Sequence, residues 1–189
     1  MIEVIRKFLD WLASLHQPLP NETIYEEERP APVRPAPAAG DIRLSDHFLL
    51  SEFTRSATAQ AQGIDNTPGP EHLANLRQLA ATLERVRDVL GHPILVSSGY
   101  RSPALNRAVG GSATSDHANG LAGDFTCPGF GSVQQVCEAI VAAGIPFDQL
   151  IYEQGNTQWV HLGIGTRMRR QVMSWSPARG YVAGIRRLA

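Results

Sequence analysis

His117 and Asp124 stand seven residues apart in the run Ser115-Asp116-His117-Ala118-Asn119-Gly120-Leu121-Ala122-Gly123-Asp124, and a second histidine follows in Trp159-Val160-His161. Two imidazoles and a carboxylate can hold a zinc ion as three ligands and leave a fourth position open for water, the arrangement that separates catalytic zinc sites from closed structural ones. Zinc held in this way brings the pKa of its water to about 7 and so supplies a nucleophile at neutral pH. A nearby carboxylate must then accept and return a proton, and Glu153 is the candidate.

These three residue types gain meaning from the segments that carry them. From Leu121 to Thr126 the chain alternates, with Ala122, Asp124 and Thr126 on one strand face and Leu121, Gly123 and Phe125 on the other. Trp159, His161 and Gly163 likewise share one face of a second short strand, and Val160, Leu162 and Ile164 take the apolar face. Asp124 and His161 are therefore expected to project from a sheet into a common site.

The pattern Ser115, His117, Gly120, Ala122, Asp124, with Ser98-Gly99-Tyr100-Arg101-Ser102 upstream and Trp159-Val160-His161 downstream, resembles the zinc D-Ala-D-Ala carboxypeptidases. That family includes phage endolysins and vancomycin-resistance dipeptidases, and the resemblance runs from about Arg43 to Ile185. It implies a small α+β domain of the Hedgehog/D,D-peptidase type, with a central antiparallel sheet flanked by helices. It also implies Zn2+ bound by His117, Asp124 and His161, with Arg101 contacting substrate. The implied substrate is a peptidoglycan stem peptide, cut most simply at its terminal D-alanine. An endopeptidase of the endolysin kind and a wall-binding module that keeps zinc without turnover are the alternatives.

Several roles stay open at this level. Arg101 could pair with a substrate carboxylate, stabilise an oxyanion, or form a surface salt bridge. Ser115 could bond substrate or orient its loop, Trp159 is placed beside it as a substrate contact, and Asp148 could orient a histidine by a hydrogen bond. Some family members carry the acid/base carboxylate three residues before the last histidine, where this chain has Gln158. Glu153 can replace it only if the loop after it is odd in length. A two-residue turn at Gly155-Asn156 pairs Glu153 with Gln158 and turns it away from His161, whereas a three- or five-residue loop pairs it with Trp159 on the face of His161.

The elements that must position these residues can be read along the chain. Met1 to His16 reads as an amphipathic helix through Ile2, Ile5, Phe8, Leu9, Leu12 and Leu15, and residues 17–40 form a Pro-rich linker with an acidic run at Glu26 to Glu28. The zinc-peptidase-like domain occupies 41–189, including a basic tail with six arginines between Arg167 and Arg187. Within it, Ser51 is expected to cap a short helix through Phe53, and Pro70 to open a core helix that Gly91 closes. Pro93 to Ser98 reads as a strand, Ser102-Pro103 as a helix start, and Ser132 with Gln135 as a capping box.

The formal net charge of −1 and the absence of interleaved basic and aromatic residues argue against a nucleic-acid partner. No stretch approaches the length of a membrane-spanning helix, and charges at Glu3, Arg6, Lys7 and Asp10 interrupt any secretory core near the start. A monomer that stays cytoplasmic after synthesis, reaching the wall through lysis machinery or a phage particle, is expected. Cys127 and Cys137 are expected to be free thiols.

Overall fold

The structure is a computed structural model that describes residues 40–188. The expected N-terminal helix and all but the last residue of the Pro-rich linker lie outside the described residues. Helices α1 (Leu50–Thr54), α2 (Ala57–Gln62) and α3 (Pro70–Leu90) come first, followed by strand β1 (Leu95–Ser98) and helix α4 (Pro103–Ala108). A 3-10 turn at Asp116–Asn119 leads into β2 (Ala122–Thr126), helix α5 (Val133–Ala142), and strands β3 (Gln149–Gln154), β4 (Gln158–Gly163), β5 (Gln171–Ser176) and β6 (Gly180–Ala183).

Pro70 stands in the first turn of α3, where its missing N–H costs nothing, and Gly91 ends the helix in the left-handed conformation. Leu76, Leu79, Leu83, Val86 and Leu90 form its buried stripe. The capping box of Ser132 with Gln135 starts α5, whose Val136, Cys137 and Ile140 point inward. At α1 the cap is Leu49, not Ser51: the Glu52 carboxylate folds back to accept the Leu49 N–H at 2.8 Å, which places Ser51 inside the first turn. Helix α2 was not expected; the Ser56 side chain caps it and Gly63 closes it.

The six strands run in the order β1-β2-β4-β3-β5-β6. All neighbours are antiparallel except β3 and β5, so the sheet is mixed where a purely antiparallel one was expected. The cause lies after β4, which ends level with the start of β3, pairing Gly163 with Gln149. The chain then crosses the start of β3, with Arg170 N–H bonded to the Phe147 carbonyl and Gln171 N–H to that of Asp148. Strand β5 thus starts beside the beginning of β3 and has to run in the same direction.

One face of the sheet carries Phe125, Leu150, Tyr152, Val160 and Leu162 into the core shared with α3 and α5. Gly123 lies over Leu79 and Leu83 of α3, where a Cβ would make only ordinary contacts at 3.5–3.9 Å. The opposite face is left for the site. Both cysteines are buried and free, and burial pushes the Cys137 thiol up to about 12.

Candidate metal centre

His117 occupies the 3-10 turn ahead of β2, which Gly120 closes at φ +70°. A Cβ at Gly120 would lie 2.9 Å from the His72 carbonyl, so both conformation and space require glycine there. The His117 Nδ1–H donates to the Gly99 carbonyl at 2.6 Å, which fixes the tautomer and leaves the Nε2 lone pair facing the site. Asp124 on β2 pairs directly with His161 on β4, so adjacent strands present both side chains together.

His117 Nε2, Asp124 Oδ1 and His161 Nδ1 form a triangle with edges of 3.2, 3.1 and 2.9 Å. Ligand atoms at about 2.0–2.2 Å from a tetrahedral ion stand roughly 3.3–3.6 Å apart, so the triangle has nearly the size an ion needs. The three buried side chains could hold a metal ion, and nitrogen and oxygen donors of this kind suit zinc. Burial alone would raise the Asp124 pKa, but the two imidazoles outweigh it and hold the carboxyl far below its usual range. Burial lowers His117, while at His161 the bond to Asp124 overcomes burial and raises it.

Arg101 contacts the same carboxylate from behind. Its Nη2 donates to Asp124 Oδ2 at 2.6 Å and its Nε to Ser98 Oγ at 3.0 Å. Asp124 is thereby turned so that Oδ1 faces the imidazoles, and the contact the structure gives Arg101 is with this carboxylate, not a surface ion pair. The sequence left open that Asp148 orients a histidine; its fully buried carboxylate is instead occupied by Arg169, which bonds it through the backbone N–H at 2.8 Å and through Nε at 2.9 Å. It sits at the start of β3 where β5 begins, and the Gly99 carbonyl orients His117 instead.

The loop between β3 and β4 contains the three residues Gly155, Asn156 and Thr157, with Gln154 paired to Gln158 and Glu153 to Trp159. Of the alternatives open from the sequence, this odd loop is the one that turns Glu153 to the face of His161. Glu153 is half-buried, and burial followed by the Asp124 charge raises its pKa. Gln158 lies on the other face, where its Oε1 accepts the Tyr152 hydroxyl at 2.9 Å. A carboxylate at 158 in this register would point away from the triangle.

His117, Asp124, His161, Glu153, Arg101, Ser115 and Trp159 all line one groove of about 1190 Å³ across this face of the sheet. Sequence reasoning missed the Gly99 carbonyl and the Arg101–Asp124 contact, although Gly99 and Arg101 both belong to a run it had singled out.

No curated protein matches the chain at a significant level. The sequence profile of the peptidase M15 family, however, matches residues 46–163, more than half of the chain, and that span takes in all three converging side chains and Glu153. On that match, the chain belongs to the peptidase M15 family of zinc peptidases.

Proposed function

We propose that the protein is a zinc-dependent hydrolase of peptidoglycan stem peptides, most simply a D-alanyl-D-alanine carboxypeptidase. The observation that carries this reading is the convergence of His117, Asp124 and His161 in a groove with Glu153 on the same sheet face. Zinc, when bound there, supplies a Lewis acid and a water acidic enough to act at neutral pH.

The protein's own residues supply the rest. Glu153, with its pKa raised toward the working range, accepts a proton from the attacking water and delivers it to the leaving amine. Arg101 keeps Asp124 in its ligand orientation, and its Nη1, which makes no bond within the described residues, is left for a substrate oxygen. In this reading Ser115 and Trp159, which line the same groove, contact the substrate. Supporting turnover over a zinc-holding module, Glu153 shares the sheet face of His161, while Gln158 faces the other way and accepts the Tyr152 hydroxyl.

No helix among the described residues is long and apolar enough to cross a membrane. In this reading, lysis machinery or a phage particle brings the protein to the wall. The test is metal content measured together with products released from purified peptidoglycan, read by mass spectrometry with and without a chelator. Chelator-sensitive release of D-alanine is the expected result. Larger fragments would move the assignment to an endopeptidase, and one zinc per chain without cleavage would establish the binding module.

A further inference from the structure

Beyond the metal centre, the site face carries a second line of side chains at right angles to the strands. Trp159 on β4 pairs with Glu153 on β3, Glu153 with Trp175 on β5, and Trp175 with Tyr181 on β6. All four line the same groove as the metal ligands. Trp175 and Tyr181 stand with ring centroids 6.3 Å apart and planes inclined at 49°, and Tyr181 is 63% exposed, the most exposed of the large hydrophobic residues among those described. Both lie beyond the segment 46–163 matched by the family profile, so this part of the groove is built from the chain's own C-terminal strands.

An exposed tyrosine ring and a half-buried tryptophan ring beside a carboxylate suit a ligand with an apolar face and a polar rim. A pyranose ring is such a ligand: its axial C–H groups stack on an aromatic face while its hydroxyl and amide groups point outward. The Glu153 carboxylate, paired directly with Trp175, supplies a polar partner beside the rings, while the bonded Gln149–Gln171 pair lies four residues further along the strands, on the far side of the His161 row.

The spacing says which sugar. His161 pairs across the sheet with Ile151 and Met173, so Trp175 is two strands and two residues away from it, and Tyr181 three strands and two residues away. With strands about 4.8 Å apart and a rise of about 3.4 Å per residue, these separations are roughly 12 and 16 Å. Four extended residues span about 13–14 Å. A stem peptide whose fourth peptide bond lies at the metal centre therefore places its amino-sugar attachment over the Trp175–Tyr181 pair.

We propose that Trp175 and Tyr181 form a sugar-stacking subsite that takes the N-acetylated amino sugar carrying the stem peptide, so that the preferred substrate is the glycan-attached peptide and not the free one. The proposal rests on the function stated above for the substrate class, but its test does not require turnover. Equilibrium binding of the peptide-free N-acetylglucosamine–N-acetylmuramic acid disaccharide is measured calorimetrically for the wild type, Tyr181→Ala and Trp175→Ala. Trp175→Leu serves as a second variant if the alanine form fails to fold. Saturable binding by the wild type, weakened about tenfold or more in each variant, is expected; tenfold corresponds to ~1.4 kcal/mol. In parallel, the ratio of kcat/KM for disaccharide-linked over free stem peptide should exceed about ten in the wild type and fall toward one in Tyr181→Ala.

Absence of saturable disaccharide binding, or equal binding by wild type and variants, would overturn the subsite. So would tight binding of the free stem peptide that depends equally on Tyr181. If disaccharide binds as expected but no stem peptide is cut, the catalytic reading fails and the subsite stands; if stem peptide is cut but disaccharide does not bind, the subsite fails and the catalytic reading stands.

Discussion

Gly99 offers the sharpest test of how the site is held together, because it bears on both packing and ligand orientation. A Cβ added there would lie 2.7 Å from Phe53 Cβ and Cδ1 and 2.8 Å from the Phe53 carbonyl oxygen. Phe53 is buried in α1, and a helix carbonyl cannot yield as the tip of a long side chain can. Overpacking of this kind costs about 1–3 kcal/mol, which for a domain of this size lowers Tm by about 3–9 °C. The backbone can relieve the clash only by moving the Gly99 carbonyl, the acceptor for His117 Nδ1–H. Loss of such an orienting bond weakens metal binding by about 10- to 100-fold. Gly123→Ala is the matched control. Its added methyl would meet Leu79 and Leu83 at 3.5–3.9 Å, an ordinary contact, and stability should change by no more than about 0.5 kcal/mol. Thermal unfolding and a competitive zinc titration read both quantities. A Gly99→Ala protein that melts with the Gly123→Ala control and keeps wild-type zinc affinity would refute the reasoning.

Two further outcomes follow from the same contacts. Glu153→Gln keeps the shape of the groove and removes the proposed proton carrier, so kcat should fall about 10²- to 10⁴-fold while zinc stoichiometry stays at the wild-type value; unchanged turnover would remove Glu153 from the mechanism. At Asp148 the hydrogen bonds from Arg169 hold the carboxyl below the usual range. The unfolded chain thus binds the proton more readily, and the pair's contribution is complete above about pH 4 and fades as pH falls through the lower folded value. Asp148→Asn should therefore lower Tm at pH 7, with the gap to wild type narrowing below pH 4; a gap that stays constant to acid would show that the carboxylate charge is not what stabilises this corner.

What could be read in the sequence was what depends on local pattern. The strand faces bearing Asp124 and His161 follow from alternation, and α3 from a leucine stripe bounded by Pro70 and Gly91. Helix α2 escaped because Ala57 to Gln62 has no apolar stripe, only the Ser56 cap and the Gly63 stop. The parallel β3–β5 pairing escaped for another reason. It depends on where β4 ends in space and on a crossing stapled by Asp148 and Arg169, residues 21 positions apart with no local signature. The partner of Asp148 was not legible for the same reason. Its distance from the histidines is fixed by topology, as is the choice of loop length that turns Glu153 inward and Gln158 outward.

The three candidate ligands come from segments that meet only in the finished fold, His117 and His161 standing 44 positions apart in the chain. An ion shared by them is a clasp on the whole sheet, since any opening that separates β2, β4 or the turn before β2 must also give up the ion. At a free concentration one hundred times its dissociation constant, such an ion adds about 2.7 kcal/mol against unfolding. The metal-free chain opens correspondingly more often and is the form a protease reaches first. Under the proposed function, metal supply would set not only how fast each molecule works but how long it survives.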